Sequence, residues 1–364
     1  MKCRKCGSEA VINMRQHKLA LCGEHFLEWV PEQTQRFIEK YKMFTPDERI
    51  LVAVSGGKDS LSLWNVLLRL GYKADGMYIG LGIEGGVDYS NQSHEMCDKF
   101  LSNIKSQISN FKFQTSNSQL PQEGNSEIHD LKSEIGNRKS EINWQPTLRV
   151  VDIAKVYGET IPDVAARTTR GRGKPCSVCG LIKRHVMNRV ARDGGYDVLA
   201  TGHNLDDEVA VLFGNTLTWN SGYLLRQAPV LPADKPGLAR KVKPFCRFYE
   251  RETAAYALVR GIEYIYDECP FAEGSTSIAH KEILNQMEKD SPGVKLQFYL
   301  NFLRAREQGL FAEHAERVEL NACEKCGQPT SAPGLCAFCR LWERRHRDTA
   351  TTLLSKGTDV ITNQ

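Results

Sequence analysis

We predict an α/β fold in which a doubly wound parallel sheet is flanked at both ends by small zinc-binding modules. Three observations support this prediction. Short apolar runs alternate with helical patterns between about residues 48 and 275. The run at 50–54 leads directly into a glycine-rich loop of the kind that joins a strand to a helix around a phosphate. Cysteine pairs with two residues between them stand near both termini, as in structural zinc sites.

The apolar runs predict five strands, at 49–54, 74–79, 148–153, 196–201 and 263–268. Helical patterns alternate with them near 59–70, 90–104, 177–193, 205–217 and 248–260. In such sheets, ligands bind outside the carboxyl ends of the strands. The loop after residue 54, the turn that contains Gly202 and His203, and Cys269 all follow predicted strands directly. We therefore expect them to meet at one edge of the sheet.

Length and composition fit one large domain with small modules attached, since the chain has 364 residues, of which 41% are hydrophobic. The predicted parts are an N-terminal zinc module at 1–30, a catalytic domain at 48–275, a helical segment at 276–320, a C-terminal zinc ribbon at 321–347 and a disordered tail at 348–364. A helix at 31–42 links the first two parts, and the later helical segment is interrupted near Pro292. Residues 103–146 are rich in Ser, Asn and Gln and predict a flexible insertion.

Neither a membrane span nor a signal region is predicted. The sequence lacks an apolar stretch long enough to cross a bilayer, and the basic N-terminus is not followed by an apolar segment. We therefore expect a cytoplasmic protein without membrane contact. In that reducing compartment, the 12 cysteines favour metal ligands or catalytic thiols over disulfides.

The loop after residue 54 predicts ATP binding. Gly56 and Gly57 have no Cβ to keep a phosphate away, and the amides at the start of the next helix can donate to an anion. Lys58 adds a positive charge, and an Asp-Ser pair follows it, unlike in the GxxxxGK[ST] loop. The alternative is a Gly-Gly turn with a helix cap. The predicted nucleotide-binding residues are Ser55, Gly56, Gly57, Lys58, Asp59, Ser60, Gly202 and His203, although His203 could equally cap its turn.

Two cysteine sets predict closed, structural zinc sites. The C-terminal set has two Cys-x2-Cys pairs separated by nine residues, with Gly327 and Gly334 at the tight turns. The N-terminal set joins a Cys-x2-Cys pair to a Cys-x2-His pair across 15 residues. Coincidental buried cysteines are the alternative, and the basic character of both modules suggests that they hold nucleic acid. The predicted ligands are Cys3, Cys6, Cys22 and His25 for one ion and Cys323, Cys326, Cys336 and Cys339 for the other.

A third cysteine set lies at the start of a predicted helix. Cys176 and Cys179 fall within residues 164–192, which contain eight basic residues and no acidic one. Such a stretch suits phosphates, although a solvated helix face would also explain it. The helix start and the nearby cations predict that these thiols ionise readily.

Cys269 is the best third partner for this pair, because it also follows a predicted strand. Three cysteines leave one coordination position open, which fits an iron–sulfur cluster, a redox pair that carries a persulfide, or a third zinc. Spacing alone does not separate these possibilities. Cys97 and Cys246 have no partner at a suitable spacing and are predicted to be core residues.

Four motifs together resemble the TtuA/TtcA family of tRNA 2-thiolation enzymes, which have the N-type ATP pyrophosphatase loop and an adenine nucleotide alpha hydrolase-like fold. The motifs are Ser-Gly-Gly-Lys-Asp-Ser at 55–60, Pro-Cys-Ser-x-Cys-Gly-x2-Lys-Arg at 175–184, Thr-Gly-His-Asn-Leu-Asp-Asp-Glu at 201–208 and Glu-Cys-Pro at 268–270. The two zinc modules resemble the branch that contains TtuA and the eukaryotic wobble-uridine thiolases. The chain departs from the pattern in its insertion and at Val209 and Ala210, where a more polar pair is expected.

The resemblance implies that ATP and Mg²⁺ activate the C2 oxygen of a pyrimidine in tRNA, after which a sulfur nucleophile attacks C2 and AMP leaves. It implies a [4Fe-4S] cluster held by Cys176, Cys179 and Cys269, with sulfur carried on the fourth iron. Lys183 and Asp207 resemble the catalytic pair, although Asp207 could instead be an acid favoured by the helix dipole. A homodimer and a ubiquitin-like sulfur donor with a C-terminal thiocarboxylate are also implied. The favoured base is the ribothymidine at position 54, with the wobble uridine as the alternative.

Two functions of other classes remain compatible with parts of the sequence. An ATP-dependent amidotransferase or ligase of the same loop superfamily would explain the glycine-rich loop but not the three-cysteine set. A zinc-ribbon RNA-binding scaffold would explain the terminal modules and leave the nucleotide loop without a role. Replacing Cys179 by Ala should inactivate a thiolase and leave an amidotransferase active.

Overall fold

The computed structural model of this protein describes residues 1–83, 88–116, 144–168, 170, 175–233, 237–272, 274–310 and 320–343. At the N-terminus, strands β1 (Ile12–Met14) and β2 (Leu19–Leu21) form an antiparallel hairpin. Helix α1 (Gly23–Lys40) follows them, so the linking helix begins earlier than predicted, inside the N-terminal module. Its buried side chains, which include Phe26, Trp29 and Val30, attach the module to the main core.

The central sheet confirms the predicted doubly wound parallel arrangement. Its strands are β3 (Ile50–Val54), β4 (Ala74–Gly80), β5 (Leu148–Asp152), β6 (Val198–Thr201), β7 (Val230–Leu231) and β8 (Arg240–Val242). Their order across the sheet is β5-β4-β3-β6-β8-β7. All neighbouring strands are parallel except the edge pair β7 and β8.

Ten α-helices follow α1 in the residues that the structure describes. They are α2 (Lys58–Arg69), α3 (Tyr89–Ser116), α4 (Ile153–Tyr157), α5 (Ile161–Ala166), α6 (Pro175–Asp193), α7 (Leu205–Leu217), α8 (Ser221–Arg226), α9 (Glu250–Arg260), α10 (Thr276–Asp290) and α11 (Val294–Glu307). The predicted interruption near Pro292 is confirmed, because α10 ends at Asp290 and Gly293 adopts a φ of +100° before α11 begins.

Strand β3 separates two hydrophobic cores. Ile50, Val52 and Val54 pack into one core and Leu51 into the other, as the alternation of side chains along a strand requires. Both faces are apolar, which is typical of parallel strands covered by helices on both sides. Cys97 and Cys246 are fully buried, as predicted for core residues.

The predicted strand at 263–268 is wrong. These residues form no strand, and the place beyond β6 is taken by β8, with the two residues of β7 beside it. Instead, the backbone N–H of Ile265 donates a hydrogen bond to the carbonyl of Gly56 at 2.9 Å. The segment therefore supports the glycine-rich loop rather than extending the sheet.

Helix α3 is longer than predicted. It was expected to end near residue 104, where the insertion was predicted to begin, but it continues to Ser116. The remainder of the predicted insertion at 117–143 and the predicted tail at 348–364 lie outside the described residues. Among the described helices, none is both long and apolar enough to cross a membrane.

Both terminal modules pack on helices of the catalytic domain. In the N-terminal module, Gln16 Nε2 donates to Glu252 Oε1 on α9 at 2.6 Å. The C-terminal module contains strands β9 (Asn321–Ala322) and β10 (Pro329–Thr330). Its Gln328 donates from Nε2 to the backbone oxygen of His185 on α6 at 3.1 Å, and Phe338 stacks on the His185 ring at 3.6 Å between centroids.

Candidate active site

The strand order reverses between β3 and β6, which is where doubly wound sheets bind their ligands. The glycine-rich loop follows β3, and the turn with Gly202 follows β6. A cavity of about 470 Å³ opens between them. Of the predicted site residues, those that line it are Ser55, Gly57, Asp59, Ser60, Lys183, Gly202, His203 and Asp207. The predicted meeting of the loop and the turn at one sheet edge is therefore confirmed.

Two glycines allow the backbone to close around the start of α2. Gly56 has a φ of +73°, and a Cβ at this position would lie 2.3 Å from the backbone oxygen of Ser93. A Cβ at Gly202 would lie 2.9 Å from backbone atoms of Asp59 and Ser60. Because these neighbours are backbone atoms, they cannot swing aside as a flexible side chain would. Both positions therefore require glycine.

Gly56→Ala is expected to abolish tight nucleotide binding, whereas Gly71→Ala should not. Gly71 has a similar φ of +81°, but an added Cβ there would have no atom within 4 Å. Both variants therefore have the left-handed backbone cost of roughly 1–2 kcal/mol, and only Gly56→Ala adds a steric clash. Calorimetric titration should show that Gly56→Ala loses more than about tenfold in affinity for ATP, whereas Gly71→Ala loses little. Equal affinities in the two variants would contradict the close approach.

The start of α2 is arranged to receive an anion. Its N-cap is Gly57, which offers no side chain to the amides of the first turn, so these donors point into the site. The Ser60 hydroxyl holds the loop closed by accepting from the backbone N–H of Ser55 at 3.1 Å and donating to the Gly57 carbonyl at 3.0 Å. The loop is thus shaped before any ligand arrives.

Four charged side chains form a chain of ion pairs beside this loop. Glu250 accepts from Lys58 at 2.8 Å and from Lys281 at 3.0 Å, and Lys281 also reaches Asp207 at 2.7 Å. Partial burial alone would raise the pKa of Glu250, but Lys58 and Lys281 lower it to about 2. These ion pairs connect the phosphate loop with Asp207, which was predicted to be catalytic.

Asp59 lies beside these ion pairs. Burial raises its pKa, and the carboxylates of Asp207 and Glu250 add to this effect, while Lys58 and Thr253 oppose it. The Thr253 hydroxyl and Asn204 Nδ2 both donate to Asp59 Oδ1. Carboxylates in this proximity form the kind of oxygen-rich set that Mg²⁺ prefers.

The lowered pKa of Glu250 predicts a pH-dependent contribution to stability. A carboxyl group of this kind stabilises the folded protein above its unfolded pKa, here 4.5, and the stabilisation disappears as the pH falls towards about 2. We expect Glu250→Gln to lower Tm at pH 7 and the gap from the wild type to narrow below pH 4.5. The exposed variant Glu263→Gln serves as the control. A difference in Tm between Glu250→Gln and the wild type that stays constant from pH 7 to pH 3 would contradict the assigned ion pairs.

The cysteine helix α6 faces the same cavity. Gly180, Lys183 and Arg184 line it, and Cys179 interacts electrostatically with Cys176, Cys269 and Lys183. Cys176 Sγ also lies 3.3 Å from the backbone oxygen of Phe271, two residues after Cys269. The three cysteines that were predicted to act together are therefore neighbours.

The predicted ready ionisation of this pair is wrong for Cys179. Burial raises its pKa, and the neighbouring thiols add to this effect, whereas Lys183 only partly opposes them. A thiol that is held neutral in this way gains its thiolate when a metal displaces the proton. Three neighbouring thiols are a donor set that fits a metal ion or an iron–sulfur cluster.

The two terminal cysteine sets have metal-binding geometry. In each, all four ligand atoms lie within 4.8 Å of one another. The shortest N-terminal contacts include Cys6 Sγ to Cys22 Sγ at 3.7 Å and Cys22 Sγ to His25 Nδ1 at 3.2 Å. In the C-terminal set, Cys326 Sγ and Cys336 Sγ are 3.8 Å apart. Gly327 and Gly334, with φ values of +69° and +71°, form the predicted tight turns.

Comparison with known proteins agrees with this arrangement. Residues 2–27 match the family model described as 2-thiouridine synthetase TtuA, N-terminal LIM domain. Over 347 residues, the chain is 44% identical to the tRNA-5-methyluridine(54) 2-sulfurtransferase of Thermus thermophilus, which covers 95% of this chain and 92% of that protein. The chain belongs to this 2-sulfurtransferase family. The family member of Pyrococcus horikoshii is 39% identical over 94% of both chains.

A solved structure with the same fold is the U34-tRNA thiolase NcsA from Methanococcus maripaludis with its [4Fe-4S] cluster. The TM-score is 0.63, and the match covers 84% of this chain and 88% of that chain at 22% identity. The motifs predict an adenine nucleotide alpha hydrolase-like fold for this member of the 2-sulfurtransferase family. The structural likeness confirms that fold.

Four residues of the site in this family member were not predicted from the sequence. Glu250, Thr253 and Lys281 occur in no motif, and they contact Lys58, Asp59 and Asp207 only because α9 and α10 pack beside α2 and α7. Asn204 could have been found, since its side chain caps α7 and exchanges hydrogen bonds with Asp207 in a capping box. Lys58 and Gly56 are not part of the cavity lining; Lys58 donates to Glu250, and the Gly56 carbonyl accepts from the backbone N–H of Ile265.

Proposed function

We propose that this chain is an ATP-dependent tRNA 2-thiolation enzyme that replaces the C2 oxygen of ribothymidine at position 54 with sulfur. The observation that supports it most is that one cavity is bordered by an anion-binding loop and by the helix that carries the paired cysteines, in a chain 44% identical to a tRNA-5-methyluridine(54) 2-sulfurtransferase. Relatives named cytoplasmic tRNA 2-thiolation protein 1 are only 26% identical. The T-loop base is therefore favoured over the wobble uridine.

The nucleotide is assigned to the glycine-rich loop. The amides at the start of α2, with Ser55, Ser60 and Lys58, bind the pyrophosphate part of ATP, and Gly202 lets the turn after β6 pack closely on the start of α2 beside the nucleotide. His203, whose Nδ1 lies 2.8 Å from the hydroxyl of Thr201, lines the same cavity and is assigned a contact with the nucleotide. Asp59 supplies a carboxylate for Mg²⁺, which neutralises phosphate charge.

The reaction has two steps. The C2 oxygen of the base attacks the α-phosphorus of ATP, so that a carbon–oxygen–phosphorus linkage forms and pyrophosphate leaves. A hydrosulfide then attacks C2, the carbon–oxygen bond breaks, and AMP leaves with the electron pair while the sulfur loses its proton. Water must be kept from C2 between the steps, which the partly enclosed cavity supports.

Lys183 and Asp207 have different roles in the proposed reaction. Lys183 is a cation that lines the cavity two helical turns from Cys176, so it stabilises the negative charge that develops on the C2 oxygen and on the departing AMP. Asp207 is held by Lys281 at 2.7 Å and by the backbone N–H of Asn204 at 3.1 Å. Its fixed carboxylate orients the base or the metal-bound phosphate.

Cys176, Cys179 and Cys269 are proposed to hold a [4Fe-4S] cluster. Within the described residues, the compact four-ligand sets are the two at the chain ends, and these three thiols do not converge to within 4.8 Å of one another. Wider spacing suits a cluster, in which each thiolate binds a different iron, better than a single zinc ion. When bound, such a cluster would offer an iron without a protein ligand at which inorganic sulfur is held.

The terminal sites are proposed to bind zinc in structural roles. Four ligands close each tetrahedron, and sulfur atoms 3.7–3.8 Å apart match the separation of about 3.8 Å that tetrahedral Zn–S bonds of about 2.3 Å impose. Because all four positions are filled by protein, neither ion has a place for substrate. Zinc thus holds the modules that pack on α6 and α9.

Three further proposals concern the setting of the reaction. Sulfur comes from a ubiquitin-like protein with a C-terminal thiocarboxylate, the enzyme works as a homodimer, and it acts in the cytoplasm, where its thiols stay reduced and its tRNA substrate is present. These proposals rest on the family resemblance. Size measurement in solution and thiolation with a purified donor test the first two.

Nucleoside mass spectrometry of tRNA from cells with and without this protein tests the proposed function. We expect 2-thioribothymidine to disappear and to return when the wild-type gene is restored. Loss of the 2-thio wobble base instead would assign the protein to the other branch. Unchanged levels of every thiolated nucleoside would overturn the thiolase assignment and favour an amidotransferase.

A further inference from the structure

A second cavity, of about 480 Å³, lies between α6, the end of α4 and the C-terminal metal module. Its size is in the range of sites that hold small ligands or single residues of a polymer. It does not share a lining residue with the candidate active site. Nothing in the thiolation chemistry described above uses it.

One side of this cavity is aromatic. Tyr157 stacks on Trp342 with ring centroids 5.1 Å apart and an angle of 18° between the planes, and Phe338 meets Tyr157 edge-on at 5.2 Å. Phe338 and Trp342 are buried, whereas Tyr157 is only partly covered. Tyr157 is therefore the ring that an incoming base can reach. Unstacked RNA bases bind to proteins by stacking on such rings.

Two buried polar atoms of the lining have no protein partner. His185 Nε2 and Trp342 Nε1 make no hydrogen bond within the described structure, although each residue is only 7% exposed. Buried polar groups in folded proteins are normally paired, and an exception calls for an explanation. A nucleobase has hydrogen-bond donors and acceptors along its edges. If the lining side chains move to admit it beside these rings, it can pair with His185 Nε2 and Trp342 Nε1.

The rim of the cavity is positively charged. Arg189, Arg192 and Lys325 line it together with the carboxylate of Asp193, and Lys325 is paired at 3.7 Å with Glu343, which stands outside the lining. Arg189 and Arg192 share Asp193, at 3.4 Å and 2.8 Å, so one carboxylate compensates two guanidinium groups. The remaining positive charge suits a phosphate group, and arginine is a frequent phosphate partner.

We propose that this cavity binds one unstacked nucleotide of the tRNA substrate, with its base against Tyr157 and its phosphate at Arg192. His185 lies six residues and Arg192 thirteen residues beyond Cys179 on the same helix, which corresponds to about 9 and 20 Å along its axis. The bound nucleotide is thus a few positions away from the modified base, and the C-terminal metal module becomes a second point of contact with tRNA. This inference rests on the proposed function, because it requires a tRNA substrate.

The test uses full-length, metal-loaded protein and an unmodified tRNA transcript, with affinity measured by fluorescence anisotropy at several salt concentrations. Tyr157→Leu should weaken binding by about 5- to 100-fold, as expected for the loss of one stacked base, whereas Tyr157→Phe should not. Arg192→Gln should flatten the dependence of log affinity on log salt by about one phosphate contact. Controls outside the cavity are Tyr223→Leu, whose ring is more exposed than that of Tyr157, and Arg226→Gln.

Metal content and Tm of each variant show whether the C-terminal module is still folded. If Tyr157→Leu lost metal, the test would rest on Arg192→Gln, because the Arg192 side chain is at the exposed rim and its replacement should leave the module folded. Wild-type affinity in both cavity variants, or an equal loss in the controls, would overturn the nucleotide site and leave the thiolase assignment intact. Absence of tRNA binding by the wild-type protein would instead overturn the proposed function itself.

Discussion

Replacing Cys179 by alanine is expected to abolish sulfur transfer to tRNA while tRNA-dependent release of pyrophosphate from ATP persists. Cys179 neighbours Cys176, Cys269 and Lys183, so its loss removes one of three thiols from the proposed cluster site. The nucleotide loop has its own supports, through Ser60 and the backbone of Ile265, which do not involve this thiol. The two half-reactions should therefore separate in this variant.

Cys246→Ala provides the matched control for that experiment. Cys246 is fully buried in the main core and lies outside the cavity lining, so its replacement should reduce stability modestly and leave thiolation in place. Pyrophosphate release and thiolated nucleoside should be measured on the same samples, together with iron content. Full thiolation by Cys179→Ala with no bound iron would contradict the role given to the three cysteines.

Cys336→Ser is expected to remove one metal ion, unfold the C-terminal module and disturb α6. Structural zinc in small modules contributes about 10–16 kcal/mol of apparent binding free energy at pH 7, which is as large as the whole stability of many domains. Without the module, His185 loses both its hydrogen bond from Gln328 and its stacking partner Phe338. Because α6 also carries Cys176, Cys179 and Lys183, thiolation should fall along with the metal.

Hydrogen exchange with mass spectrometry, combined with a metal count, distinguishes this effect from general unfolding. In Cys336→Ser, exchange should rise along α6 and stay low in α9. Cys6→Ser should give the reciprocal pattern, since the N-terminal module packs on α9 through Gln16 and Glu252. Loss of one metal without any change in exchange along α6 would show that the module does not support the catalytic helix.

The sequence predicts those parts of the site whose chemistry depends on neighbouring residues in the chain. The phosphate loop, the turn at Gly202 and the cysteine pairs are each contained within a few residues, so their function can be inferred before any folding is known. The meeting of the phosphate loop and the Gly202 turn at one edge followed from the parallel sheet, whereas Cys269 was placed there by a predicted strand that the structure lacks. Glu250 and Lys281 could not be predicted, because they are brought to Asp207 and Lys58 only by the packing of α9 and α10.

The wrong predictions have a common physical cause. Residues 263–268 have the composition of a strand, but the position beside β6 is already occupied by β8, whose three residues are too few to show a period. The ionisation of Cys179 was inferred from charges near it in sequence, whereas burial sets its pKa. Pairing partners and burial are both properties of the folded chain.

The central claim is that one cavity joins ATP cleavage to sulfur transfer at position 54, and a reconstituted reaction tests it most directly. The purified protein with its iron and zinc sites filled would be given tRNA that carries ribothymidine at position 54, ATP, Mg²⁺ and sulfide, and AMP and thiolated nucleoside would be counted together. We expect one AMP for each sulfur, all of it at position 54, and neither product without ATP. AMP formation with no sulfur in the tRNA, or sulfur insertion that does not need ATP, would contradict the account.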